Sequence, residues 1–318
     1  MSTNNAVQAA VQRYLAERRQ LGFGLEIAGY LLMRFARYAD SRGHQGPLTL
    51  ELQHGWAREH LRSSRPLTWA HRLQILRPFA TYYRRFEPQS EIPDPKIFVR
   101  GHRRLAPHIY TEQEICDLLH EAGRLSPQGE LRPATYRTLF GLIASLGLRL
   151  SEALHLQEVD VDLPGATLLV RQTKFNKSRN LPLHQSVVQA LSQYRQLRDR
   201  AVGPNAGRPF FVSSSGCALP SSTVHFVFSC LRKRLQWRAR GGHPFPRIHD
   251  LRHSFTVRRI QMWREAGVAM DQAMFWLCTY LGHAKISDTY WYLTGTPELM
   301  SVIGAKFEGF AMGEVDHE

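Results

Sequence analysis

Cysteine is scarce and scattered in this chain of 318 residues. Cys116, Cys217, Cys230 and Cys278 form no Cys-x-x-Cys pair, which excludes a zinc ribbon and a disulfide framework. Four reduced, mostly buried thiols in a cytoplasmic protein are expected instead. Long hydrophobic runs are missing as well. The most apolar stretch, 139–148, is about half of the ~20 residues that a spanning helix needs. The start, Met-Ser-Thr-Asn-Asn, lacks the basic-then-apolar order of a signal peptide, so no membrane association is expected. Acidic residues are few, 27 against 41 Lys+Arg, and the formal charge is +14. A field of that size draws polyanions, with nucleic acid as the expected partner and an anionic membrane disfavoured by the missing span.

Lysine is nearly absent from the first third. Residues 1–106 hold 17 Lys+Arg against 8 Asp+Glu, and sixteen of the seventeen are arginine. Four helices are predicted there. Val7, Val11, Tyr14 and Leu15 recur at helical spacing, as do Ile27, Leu31, Phe35 and Tyr38. Thr49 can cap a third helix containing Trp56, and a fourth starting near Pro66 carries Leu73, Leu76, Ala80 and Tyr83. Arg58, Arg62, Arg65, Arg72, Arg77, Arg84 and Arg85 punctuate the last two helices. One exposed arginine is normally only a solvated surface. The excess over the region points to a helical module lying along double-stranded DNA, where guanidinium groups grip phosphate bidentately and release counterions. Pro88, Pro93, Pro95 and Pro107 then break the pattern while Arg100, Arg103 and Arg104 keep it basic, as in an extended linker. The expected division is 1–90, a linker at 91–107, and 108–318.

Thr111 and Glu114 form a capping box that opens the second domain, which reads as mainly helical with a small sheet. Leu139, Leu142, Ile143 and Leu146 make a buried stripe ending at Gly147. Strands are expected at 167–171 and 180–183, flanking a turn with Lys174, and helices at 185–200, 222–238, 250–266 and 270–280.

Six side chains in this domain suit a single chemistry, metal-free attack on a phosphodiester by a tyrosine hydroxyl. They are Arg149, Lys174, His249, Arg252, His283 and Tyr292. Each has a plainer reading by itself. Arg149 with Glu152 is an ordinary i, i+3 ion pair, Lys174 a solvated turn lysine, and His283 a helix-terminal histidine after Gly282. His249 and Arg252 share a helix face, so both can reach one phosphate.

The local wording is stronger than any one residue. Leu148-Arg149-Leu150-Ser151-Glu152, His249-Asp250-Leu251-Arg252-His253, Leu281-Gly282-His283 and the tyrosine nine positions later resemble the tyrosine recombinase (phage-integrase-like) family, over most of the chain. The resemblance implies a helical core-binding domain at 1–90 and a catalytic domain with a C-terminal tail at 108–318. It implies that Arg149, Arg252 and His283 contact the scissile phosphate, that Glu152 supports them and that Lys174 protonates the leaving oxygen. Tyr292 is the nucleophile by the nine-residue spacing from His283, which Tyr290 misses by two; on a helix the two stand roughly 200° apart. His253 packs behind the site. The product is a 3′-phosphotyrosyl link, formed without metal, ATP or any other cofactor.

The resemblance further implies a homotetramer in the synaptic complex, a monomer or weak oligomer away from DNA, possible accessory recombination proteins and a nucleoid location. A tail helix bearing Leu299, Ile303 and Phe307 would dock either on its own core or on a neighbour. The wording near Tyr292 resembles recombinases of mobile elements more than chromosome-dimer resolvers. Two other outcomes stay open from the sequence: a type IB topoisomerase-like relaxing enzyme, and a DNA-binding protein without catalysis.

Overall fold

The computed structural model describes residues 6–59, 66–98, 105–127, 131–171, 178–203, 209–283 and 285–294, the last four of these by backbone only. Lys174, Arg62, Arg65, Arg100, Arg103, Arg104 and the tail stripe at Leu299, Ile303 and Phe307 lie outside the described residues. The chain divides into two compact units, Met1–Arg104 and Leu105–Glu318. As expected, the fold is mainly helical with one small sheet.

The first unit consists of α1 (Ala6–Gln20), α2 (Glu26–Ser41), α3 (Leu50–Arg58) and α4 (Pro66–Tyr83). Val7, Val11, Tyr14 and Leu15 are buried on α1, as their spacing predicts. On α2 the expected stripe holds at Phe35 and Tyr38, which are buried, with Leu31 half-buried. Leu32, Phe35, Ala36 and Ala39 point inward, whereas Ile27, in the first turn, is 72% exposed. The Thr49 hydroxyl caps α3 by accepting from the Leu52 amide at 3.2 Å. Edge-to-face contacts join the helices, Phe35 to Trp56 at 5.4 Å and Tyr14 to Phe79 at 5.7 Å.

The segment after α4, read as an extended linker, packs onto this unit as far as Phe98. The Leu48 amide donates to Ser90 Oγ, the Glu91 amide to the Leu48 carbonyl, and the buried Gln53 amide to the Glu91 carbonyl. Phe98 closes it edge-on against Trp69 at 5.4 Å. Prolines stop helices here without freeing the chain, because side chains of α3 and α4 supply its backbone partners.

The second unit opens with α5 (Glu112–Ala122), capped reciprocally by Thr111 and Glu114 as expected. Next come α6 (Leu131–Leu146) and the short α7 (Leu150–Leu154). An antiparallel sheet follows in the order β1 (Val161–Asp162), β2 (Thr167–Val170) and β3 (Arg179–Pro182), with Leu168 opposite Leu181. Five helices complete it: α8 (Gln185–Val202), α9 (Ser221–Arg234), α10 (Ile248–Glu265), α11 (Met270–Leu281) and α12 (Ser287–Thr294). The helix expected at 222–238 stops at Arg234, shortly before Gln236 takes a left-handed conformation. At the centre lies α6, with Leu139, Phe140, Leu142 and Ile143 buried. The thiols correct another expectation: Cys116 and Cys217 are exposed, and Cys230 and Cys278 are half-buried.

Candidate active site

At the end of α6, Gly147 takes a φ of +63° and redirects the chain, so that Arg149 stands immediately before α7. One carboxylate fixes it there. The Arg149 amide donates to Glu152 Oε2 at 2.9 Å, and its Nη1 donates to Oε1 at 2.6 Å. This is more than a surface ion pair, because the Glu152 side chain is only 5% exposed. Arg179, the first residue of β3, donates to both Glu152 oxygens, Nη2 at 2.9 Å and Nη1 at 3.2 Å. Arg252 Nη1 lies 3.7 Å from Oε2. Burial would raise the Glu152 pKa. The Arg179 hydrogen bonds and charge, the Arg149 amide and the Arg252 charge outweigh it and hold the pKa down to about 2.

Arg252 comes from α10, and its guanidinium is buried. Its Nη1 donates to the Gly147 carbonyl at 2.7 Å, and its Nη2 donates to the Leu281 carbonyl at 2.9 Å and meets His283 Nε2 at 3.1 Å. A guanidinium can only donate, so His283 Nε2 accepts and its proton sits on Nδ1. That Nδ1–H donates to Thr289 Oγ1, 2.8 Å away on α12. Burial first, then the Arg252 and Arg149 charges, push the His283 pKa down to about 4. In this structure His283 is thus a neutral acceptor that braces Arg252. It also ties α12 to the cationic centre.

His249 is on the same helix as Arg252, one turn earlier. It stands at the exposed side of α10, yet crowding around the ring, followed by the Arg252 and Arg247 charges, pushes its pKa down to about 4. The ring is therefore neutral at pH 7. Behind it His253 is buried, edge-on at 4.7 Å between ring centres, in the packing place expected of it. The start of α10 is set by Asp250, fully buried, which accepts from the Arg247 amide at 2.8 Å and from Arg247 Nη2 at 2.6 Å.

Arg149, Glu152, Arg252 and His283 are therefore joined directly, with His249 alongside. Residue 292 is described only as backbone of α12, which packs on α10 and α11. The Tyr290 hydroxyl donates to Asp271 Oδ1 at 3.0 Å on α11, so that phenol is already committed. Two contributors escaped the sequence reading, Arg179 and Thr289. A basic residue opening a strand and a threonine within a helix carry no signal until the fold sets them beside Glu152 and His283.

In the first unit Arg58, Arg77, Arg84 and Arg85 are exposed. Arg58 stacks over Phe98 at 5.0 Å, while Arg77 and Arg84 donate to the Pro93 and Ser90 carbonyls, both at 2.7 Å. Arg72 is a correction. It is 3% exposed, donates to the Trp56 carbonyl at 2.8 Å and the Glu59 carbonyl at 3.0 Å, and lies over the Trp56 ring, so it has no face to offer DNA. Among the described residues no helix is long and apolar enough to cross a membrane, and no group of three or more His, Cys, Asp or Glu is placed to hold a metal ion.

Comparison with known proteins adds lineage to this geometry. Residues 109–298 match the phage integrase family. Two proteins of Sinorhizobium fredii, named putative integrase/recombinase y4rB and y4rE, are 37% and 34% identical to this chain. The first match covers 94% of this chain and 96% of the relative, the second 93% and 94%. Among solved structures, the Tn1549 transposon integrase in complex with transposon right end DNA is similar at a TM-score of 0.65 and 17% identity, over 95% of this chain and 99% of that one. A lambda integrase dimer bound to a core site is similar at a TM-score of 0.60 and 16% identity, over 89% and 76%.

Proposed function

The chain belongs to the phage integrase family, and we propose that it is a site-specific DNA recombinase of a mobile element, cutting and rejoining double-stranded DNA through a 3′-phosphotyrosyl link on Tyr292. The observation that carries this reading is the convergence of Arg149 and Arg252 on one buried carboxylate, with His283 set against Arg252 and α12 tied to His283 through Thr289. Relatives named integrase/recombinase and the fold shared with a transposon integrase support the assignment to mobile elements.

In this scheme the two guanidinium groups grip the non-bridging oxygens of the scissile phosphate and stabilise the extra negative charge of the five-coordinate transition state. The Tyr292 phenol, with an ordinary pKa near 10, needs help at neutral pH. His249 takes its proton as the phenolic oxygen bonds to phosphorus. The bond from phosphorus to the 5′ oxygen breaks, and Lys174 supplies the proton that oxygen requires. Since the ester is conserved in the protein link, a 5′-hydroxyl from another strand can attack it and release the tyrosine. The cations used are all side chains, so the scheme calls on neither a metal nor a nucleotide.

The first unit clasps the duplex through arginines including Arg58, Arg77, Arg84 and Arg85, with Arg62, Arg65, Arg103 and Arg104 joining them. Four protomers form the synapse at the nucleoid, with accessory proteins able to modulate it. The direct test incubates the full chain with nicked duplexes spanning the ends of its own genetic element. A protein–DNA adduct that survives detergent is expected from the wild type and not from Tyr292→Phe. An adduct formed undiminished by Tyr292→Phe, or simple relaxation of plasmid with no joining of two sites, would overturn the reading.

A further inference from the structure

Three guanidinium groups converge on the single carboxylate of Glu152, and they do not share it equally. Arg179 takes both oxygens, at 2.9 and 3.2 Å. Arg149 holds one oxygen at 2.6 Å, and Arg252 stands off at 3.7 Å with its short hydrogen bonds spent on the Gly147 and Leu281 carbonyls. Arg179 is itself held from two sides. Its backbone is locked in register opposite Val170 in the sheet. Its guanidinium lies against Gly282, where an added Cβ would sit 3.0 Å from Nη1. With φ at +66°, Gly282 in the Leu281-Gly282-His283 phrase both permits the turn and leaves room for this side chain.

We propose that Arg179 is a positioning residue for strand cleavage: its two-point hold on Glu152 keeps that carboxylate from drawing the Arg149 and Arg252 guanidinium groups away from the phosphate. This rests on the reading that those two arginines bind the scissile phosphate. With Arg179 present, three cations surround one anion and a surplus of two positive charges is left for the substrate. Without it, the carboxylate turns on the two phosphate-binding arginines, neutralising one and displacing both from their line. The effect reaches the substrate through Glu152 and needs no contact between Arg179 and DNA.

The test uses the full chain and the nicked duplex that traps the wild type, measuring the adduct-forming rate at saturating protein, Kd on the same duplex, and Tm. Arg179→Met is expected to slow adduct formation about 30-fold, below the 10²–10³-fold cost of deleting a direct transition-state donor, with Kd within about threefold. Adding Glu152→Gln to that variant removes the stray anion and is expected to restore roughly tenfold of the loss, which a stapling role could not do. Should Arg179→Met fail to fold, Arg179→Lys keeps the charge but cannot hold both oxygens, and an intermediate rate is expected. Adduct formation at the wild-type rate by either single variant, or a double variant no faster than Arg179→Met, overturns the proposal. No adduct from the wild type would instead overturn the strand-cleavage reading, and this role with it.

Discussion

Arg72 and Arg58 belong to the same arginine-rich stretch, yet they do opposite work. Arg72 is sealed against Trp56 and satisfies the carbonyls at the end of α3, whereas Arg58 is exposed. Arg72→Ala is accordingly expected to lower stability by about 2–4 kcal/mol, since it strands buried carbonyls as well as emptying a cavity. Arg85→Ala is expected to leave Tm within about a degree and to reduce the slope of log affinity against log salt by nearly one, the share of one phosphate contact. Urea melts and binding titrations between 50 and 200 mM salt separate the two. A stable Arg72→Ala protein with a reduced salt slope would return Arg72 to the DNA face.

At the level of elements, periodicity located most helices because apolar spacing reports a buried face directly. Val7, Val11 and Tyr14 on α1, and Leu73, Leu76 and Ala80 on α4, are such cases. On α2 the same spacing held at Phe35 and Tyr38 and failed at Ile27, which sits exposed in the first turn. The two-residue β1 was too short to leave a pattern. Within the candidate site, Arg149, His249, Arg252 and His283 were singled out by the resemblance of their surrounding wording to the family, since each has a plainer reading alone. Arg179 was not, because its partner lies 27 residues earlier and meets it only through the sheet register. Gly147 shows how tightly one element is fitted to the next. An added Cβ there would come within 2.4 Å of Phe255 Cδ1 on α10, at a φ of +63°. Gly147→Ala is expected to cost roughly 2–4 kcal/mol, combining left-handed strain with overpacking. An unchanged Tm would contradict this packing of α6 on α10.

For the whole molecule, burial of two histidine rings, reinforced by the nearby cations, sets the response to acid. His253 and His283 are held below the ordinary histidine value, to about 2 and about 4. From pH 6.5 downward the unfolded chain therefore binds protons that the folded chain refuses, so stability falls as pH drops through this window. Glu152, held to about 2, adds to the loss below pH 4.5, where the unfolded carboxyl is protonated first. The two histidines together give a loss on the order of 1–3 kcal/mol per pH unit between about pH 6 and pH 5. Melting curves at pH 7.5, 6.0 and 5.0 should show a steadily falling Tm; a flat or rising Tm would show that these rings are protonated in the folded chain. The central claim remains the covalent one, and it is read most directly by digesting the trapped protein–DNA adduct and locating the nucleotide by mass spectrometry. The account predicts a phosphodiester on Tyr292, with Tyr290, whose hydroxyl is held by Asp271, unmodified. A nucleotide on Tyr290 or any other residue would contradict it.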